Sequence, residues 1–176
     1  MSNVSAFPGQ QTKAQWIMGL IPCLNQMYME IVWPVVRPGL DELVAESQGE
    51  WDSFRAWKEV FGGSMHLYMT YANRSGQPIT PATYQEEFVK KMRDPMKDFA
   101  GFVIVKFLET SAHIFAIYTM PEFREKGLAS EMLEYVDEKV KAIKAPYISV
   151  CVGRDLHETM TKRGYVETTT NYRKKL

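Results

Sequence analysis

Cysteine and histidine are scarce in this 176-residue chain, which holds two cysteines, Cys23 and Cys151, and three histidines, His66, His113 and His157. Their wide spacing excludes a metal-ligand set of recognisable pattern, and the two cysteines read as ordinary reduced thiols of a cytosolic protein. An excess of either charge is also lacking. Lysine plus arginine and aspartate plus glutamate both number 21, so no overall field draws the chain to nucleic acid or to an acidic membrane surface. Any anion site has to be local. No apolar run approaches the roughly 20 residues that span a bilayer, and no basic segment followed by an unbroken apolar stretch opens the sequence. A soluble chain is expected. Repeats and low-complexity tracts are absent as well, and the length suits one domain over 1–176.

What is present reads as alternating helices and strands. Residues 1–13 are polar and read as an arm. From Cys23 to Glu46 apolar residues recur at three and four, interrupted by Pro34 and Pro38, which predicts two helical pieces with a kink. Asp52 or Ser53 caps a further helix carrying Phe54, Trp57, Val60 and Phe61 on one face, stopped at Gly62-Gly63. All four tryptophans lie between Trp16 and Trp57 and read as core packing, since they lack the basic interleaving of a nucleic-acid surface. Met65 to Tyr71 reads as a strand. Within 73–98, Thr80-Pro81 opens a helix whose early Glu86 and Glu87 and later Lys90 and Lys91 match the helix dipole. The runs Gly101 to Leu108 and Ala112 to Met120, joined by Glu109-Thr110-Ser111, predict an antiparallel hairpin through the core. Gly127 to Ile143 reads as the longest helix, with Leu128, Met132, Val136, Val140 and Ile143 in one stripe. A buried strand from Tyr147 to Val152, a short helix from Leu156 to Arg163 and a closing strand or hairpin from Tyr165 to Lys175 complete the pattern.

One local arrangement carries chemistry. A strand ending at Ile117-Tyr118-Thr119-Met120, the turn Pro121-Glu122-Phe123, and Arg124-x-x-Gly127-x-Ala129 at the start of a helix form a phosphate cradle in principle. A helix N-terminus offers unpaired amides and partial positive charge, and a glycine lets the backbone approach a pyrophosphate closely. Arg124 adds a cationic contact.

The segment His113 to Ile143 resembles the strand, loop and long helix of the GCN5-related N-acetyltransferase (GNAT) superfamily, whose signature is [Q/R]-x-x-G-x-[G/A]. Tyr147 to Cys151 is similar to the family's next strand, and Lys162-Arg163-Gly164-Tyr165 to its helix-to-strand ending, so the resemblance spans roughly Met65 to Leu176. It implies an α/β fold: a single GNAT-type domain with a mixed, mostly antiparallel, splayed sheet flanked by helices. It also implies acetyl-CoA as cosubstrate, held between the strand ending at Met120 and the strand starting near Tyr147. Main-chain groups of Tyr118, Thr119 and Met120 would then pair with the pantetheine, Arg124 would add charge, and the amides of Glu125, Lys126, Gly127, Leu128, Ala129 and Ser130 would hold the pyrophosphate. The implied activity is transfer of acetyl to a primary amine on a small molecule or protein. Neither nucleic acid nor membrane is expected as a partner.

Three positions depart from the family pattern. Where many members place an asparagine and a proton-donating tyrosine in the last short helix, this chain holds Arg154 and Met160, and methionine donates no proton. Eleven residues before Arg124, where some members that act on protein lysines place a glutamate, stands His113. An imidazole of unperturbed pKa near ~6.5 is suited to accept a proton from an ammonium through water. Strict strand alternation puts His113, Phe115, Ile117 and Thr119 on one face, so His113 is expected to face the cleft only if Thr119 does. The N-terminal half, from Val32 to Pro38 and from Gly62 to Tyr68, looks like GNAT-like proteins encoded by tailed bacteriophages. That implies an alternative, a non-catalytic component of a phage virion in place of a cytoplasmic enzyme. The arm at 1–13 or the helix-bearing insertion at 73–98 is the expected place for a protein partner or for a cover over the acceptor site.

Overall fold

The computed structural model describes residues 16–21, 26–46, 52–74, 81–150, 157–162 and 164–165. Strands β1 (Trp16–Leu20), β2 (His66–Ala72), β3 (Phe99–Phe107), β4 (Ser111–Thr119) and β5 (Tyr147–Val150) form one sheet in that spatial order. The first four are antiparallel neighbours, and β4 with β5 is parallel. A parallel pair needs a crossover, and α4 (Leu128–Ala142) supplies it. Helices α1 (Gln26–Glu46), α2 (Ser53–Phe61) and α3 (Pro81–Lys91) pack on one face of the sheet, and α4 with α5 (His157–Lys162) on the other.

Burial on both faces explains the unbroken apolar run of β3. Phe102 and Ile104 enter the cluster under α1–α3, whereas Val103 and Val105 enter the cluster under α4, beside Leu128, Met132, Val136 and Val140. The β3–β4 hairpin forms as the sequence indicates, with one irregularity. Ile104 pairs with Ala116 but Val105 pairs with Ile114, so Phe115 is an extra residue that forms a β-bulge.

Two sequence expectations are corrected and one strand is added. The helix around Pro34 and Pro38 is one continuous element of 21 residues. Both prolines are exposed while Val32, Val35, Val36 and Leu40 are buried, so the ladder bonds they forgo lie on the solvent side and packing holds the helix together. β1 had no sequence assignment; it is the edge strand, and its Ile17 is 1% exposed. β5 is half exposed, not buried, with Tyr147 at the surface.

Among the described residues of the insertion at 73–98, none lines the β4 edge. Its helix α3 lies along β1, where the Tyr84 hydroxyl accepts the Met18 N–H and donates to the Met18 carbonyl at 2.7 Å. Phe88 sits so close to Gly19 that an added Cβ would meet its ring at 2.6 Å. α3 therefore satisfies and shields an edge strand. Three strand spacings separate β1 from β4, about 14 Å at ~4.8 Å each. The arm at 1–13, both cysteines, the Thr80 cap, Arg154 and the closing strand after Tyr165 lie outside the described residues.

Candidate active site

A cavity of about 350 Å³ wraps the open edge of β4. Glu42 and Leu43 of α1 wall it from one face of the sheet, and Gly127, Leu128, Ala129 and Ser130 from the other, with Ile117, Tyr118, Thr119, Phe123, Arg124 and Glu125 between them. The edge is open because β4 pairs with β5 only from Ser111 to Ile114 among the described residues, while its β3 side is paired to Thr119. The last described pair is Ile114 with Val150.

The helix end is built for an anion. Glu125 and Gly127 both take left-handed backbone angles, φ 63° and 81°, and the chain thereby turns sharply from the Pro121–Phe123 turn into α4. Gly127 is the N-cap residue, no side chain caps the helix, and no atom lies within 4 Å of the place its Cβ would occupy. The first amides of α4 have no preceding intrahelical carbonyl. The Leu128 side chain is buried in the core, so that residue offers the cavity its backbone. Phe123 anchors the turn edge-on against Trp16, ring centroids 5.5 Å apart. This cradle fits a pyrophosphate.

Of the residues that the family resemblance assigns to the cofactor, Met120 and Lys126 are not in the cavity wall. The Met120 N–H is spent on the Ala100 carbonyl at 2.9 Å. Ladder alternation then turns the main-chain groups of Tyr118 toward β3 and those of Ile117 and Thr119 toward the open edge. The close approach of Gly101 to the Tyr118 carbonyl, 2.2 Å from an added Cβ, agrees with this. Thus the main chain left open to the cavity is that of Thr119 and of Ile117, which the motif did not single out, and not that of Tyr118 or Met120. Lys126 folds back, its Nζ donating to the Glu122 carbonyl at 2.7 Å and lying over the Phe123 ring.

Arg124 is in the wall but already engaged. Its Nε donates to the Thr119 carbonyl at 3.1 Å and its Nη2 to Glu42 Oε1. Glu42 Oε2 accepts from the Tyr118 hydroxyl at 2.8 Å. The bond from Arg124, with that from Tyr118, holds the Glu42 carboxyl below the ordinary carboxylate range. Burial, with the Glu42 carboxylate, pushes the Tyr118 hydroxyl up to about 12. Nothing local in the sequence marks Glu42; it arrives at the motif because α1 crosses β4 at Gly39, where a Cβ would meet the Tyr118 ring at 2.6 Å.

His113 obeys a different geometry from the one alternation suggests. The bulge at Phe115 shifts the period, so His113, beside Lys106, shares the α1–α2 face with Ala116 and Tyr118, while Ile117 joins Ala112 and Ile114 on the α4 face. His113 does not line the cavity. It stands one residue before the last described pair of β4 with β5, with Nδ1 2.9 Å from Ser149 Oγ on β5. Burial, and then the Lys106 charge, lowers its pKa below the usual 6.5. Met160 is 4% exposed within the α4-side core, so its sulfur faces packed side chains. Among the described residues no group of His, Cys, Asp or Glu is placed to hold a metal, and no helix is long and apolar enough to cross a membrane.

Known structures repeat this architecture. A ribosomal-protein-alanine N-acetyltransferase from Brucella melitensis biovar Abortus 2308 superposes with a TM-score of 0.58 at 13% identity, over 92% of this chain and 99% of that one. A predicted acetyltransferase from Clostridium acetobutylicum, solved with acetyl-CoA, gives 0.56 at 12% identity over 91% and 96%. An aminoglycoside acetyltransferase from an uncultured soil metagenomic sample, in complex with sisomicin, gives 0.56 at 10% over 92% and 97%. At such identities the likeness speaks for the fold. No protein of curated function matches by sequence. The acetyltransferase (GNAT) family model matches residues 47–164, which takes in β4, the turn and α4 but not the α1 wall of the cavity, and the chain belongs to that family.

Proposed function

We propose that the chain is an acetyl-CoA-dependent N-acetyltransferase acting on a primary amine. The observation that supports it most is the union, in one cavity, of the open β4 edge and the uncapped, glycine-led N-terminus of α4. In this reading the amides of Leu128, Ala129 and Ser130 hold the pyrophosphate, with Gly127 leaving the approach clear. The open-edge groups of Ile117 and Thr119 align the pantetheine, so that the thioester lies along β4 toward its pairing with β5. The neutral amine attacks the thioester carbonyl directly, a C–N bond forms, the C–S bond breaks, and the thiolate leaves.

The acceptor amine gives its ammonium proton to solvent before it attacks, since His113 lies outside the cavity wall and on the other face of β4 from Ile117. Met160 supplies no proton to the thiolate, so water does. Turnover is accordingly slow. Release of free thiol from acetyl-CoA against a panel of amines tests the reading. A folded protein that neither binds acetyl-CoA nor releases thiol would overturn it and favour the non-catalytic virion role.

A further inference from the structure

Glu42 and Arg124 share the cavity wall, and each answers the other's charge. An incoming pyrophosphate changes that balance, because it is a stronger partner for a guanidinium than a single carboxylate is. Arg124 can respond by giving up Glu42 and the Thr119 carbonyl, its side chain being 47% exposed. Glu42 keeps its place. Its second oxygen is held by Tyr118, and α1 is fixed against β4 by the contact of Gly39 with the Tyr118 ring.

We infer that Glu42 is the acceptor-recognition residue of this site and that acetyl-CoA uncovers it. Pyrophosphate draws Arg124 away, and the carboxylate left in the cavity takes a positive charge carried by the acceptor. The reacting amine must lose its own proton to attack. The charge matched by Glu42 is therefore a second one, which points to acceptors of the polyamine class over simple monoamines. The inference rests on the acetyl-CoA reading of the cavity. It makes the two ligands cooperative, since whatever frees Glu42 for one must favour the other equally.

Calorimetric titrations with acetyl-CoA and with spermidine test it. Glu42→Gln keeps an acceptor for the Tyr118 hydroxyl but removes the charge that competes for Arg124. It should bind acetyl-CoA about 2- to 5-fold more tightly than wild type, the range of a partly exposed ion pair. The gain should vanish when Arg124→Gln is the background. Spermidine should bind the CoA-saturated wild-type protein several-fold more tightly than the free protein, and Glu42→Gln should lose that preference. Equal or weaker acetyl-CoA binding by a folded Glu42→Gln, or spermidine binding indifferent to CoA, overturns the inference while leaving the acetyltransferase reading intact. Wild-type protein silent to acetyl-CoA removes both.

Discussion

Replacing Gly127 separates the cost of its backbone from its role at the cavity. The residue has φ 81°, and an added Cβ would touch nothing. Gly127→Ala therefore costs only conformational energy. A left-handed angle costs an L-residue about 1–2 kcal/mol, offset by about 0.4–1 kcal/mol from a less flexible unfolded chain. The net, about 1 kcal/mol, lowers Tm by about 2–4 °C in a protein of this size. Gly127→Glu and Gly127→Gln bear a similar backbone cost, yet both carry a side chain toward the amides of α4. A carboxylate about 4 Å from a phosphate adds about 1 kcal/mol of repulsion in water and about 4 kcal/mol at a protein surface. That is about 5- to 10³-fold in affinity before side-chain volume is counted. Acetyl-CoA calorimetry should show a small loss for Ala, a larger one for Gln, and about 10²-fold or more for Glu, with the Glu–Gln gap narrowing as salt rises. A folded Gly127→Glu protein that binds acetyl-CoA within about threefold of wild type would refute the cradle.

Other expectations follow from burial and pairing. Met160→Tyr should lower stability by about 1–3 kcal/mol by overpacking the α4-side core, and thiol-release rates should not rise; a faster variant would show the position reaches the thioester. Tyr84→Phe should cost about 1–3 kcal/mol in denaturant unfolding, because both Met18 backbone groups lose their partner at the sheet edge, and acetyl-CoA affinity should not change. Burial lowers the His66 and His113 pKa values in the folded state, so the unfolded chain binds more protons below pH 6.5. Stability should thus decline as pH falls through that value, and less steeply in His113→Gln; an unchanged slope would contradict the burial of this imidazole. Because His113 lies outside the cavity, the same substitution should leave thiol release near wild type; a loss of about 10²-fold would restore the ring as the base.

Local signals carried much of this architecture. The apolar runs on either side of Glu109-Thr110-Ser111, the Arg124-x-x-Gly127-x-Ala129 string and the stripe of α4 each state their structure within a few residues, and each formed, save that Ile143 at the end of the stripe is exposed and α4 is shorter than α1. What escaped depends on distant contacts. Periodicity in β4 looks regular, and only its register against β3 reveals the bulge that moves His113 to the other face. Whether Ile117 or Tyr118 offers its backbone to the cavity is a matter of ladder phase, which side-chain identity does not encode. Glu42 lies 82 residues from Arg124 on a helix whose prolines suggested a break, so neither the helix's continuity nor its reach could be read locally. β1 is five residues long and acquires its meaning from β2 and α3.

Backbone amide NMR during an acetyl-CoA titration tests the central claim most directly, because it reports on the peptide groups themselves. Saturable shifts should concentrate at Ile117, Thr119 and Gly127 to Ser130, with smaller ones at Glu42 and Leu43, while β1 and α3 stay unmoved. Shifts confined to β1 and α3, or none at saturating acetyl-CoA, would contradict the assignment of this cavity to acetyl-CoA.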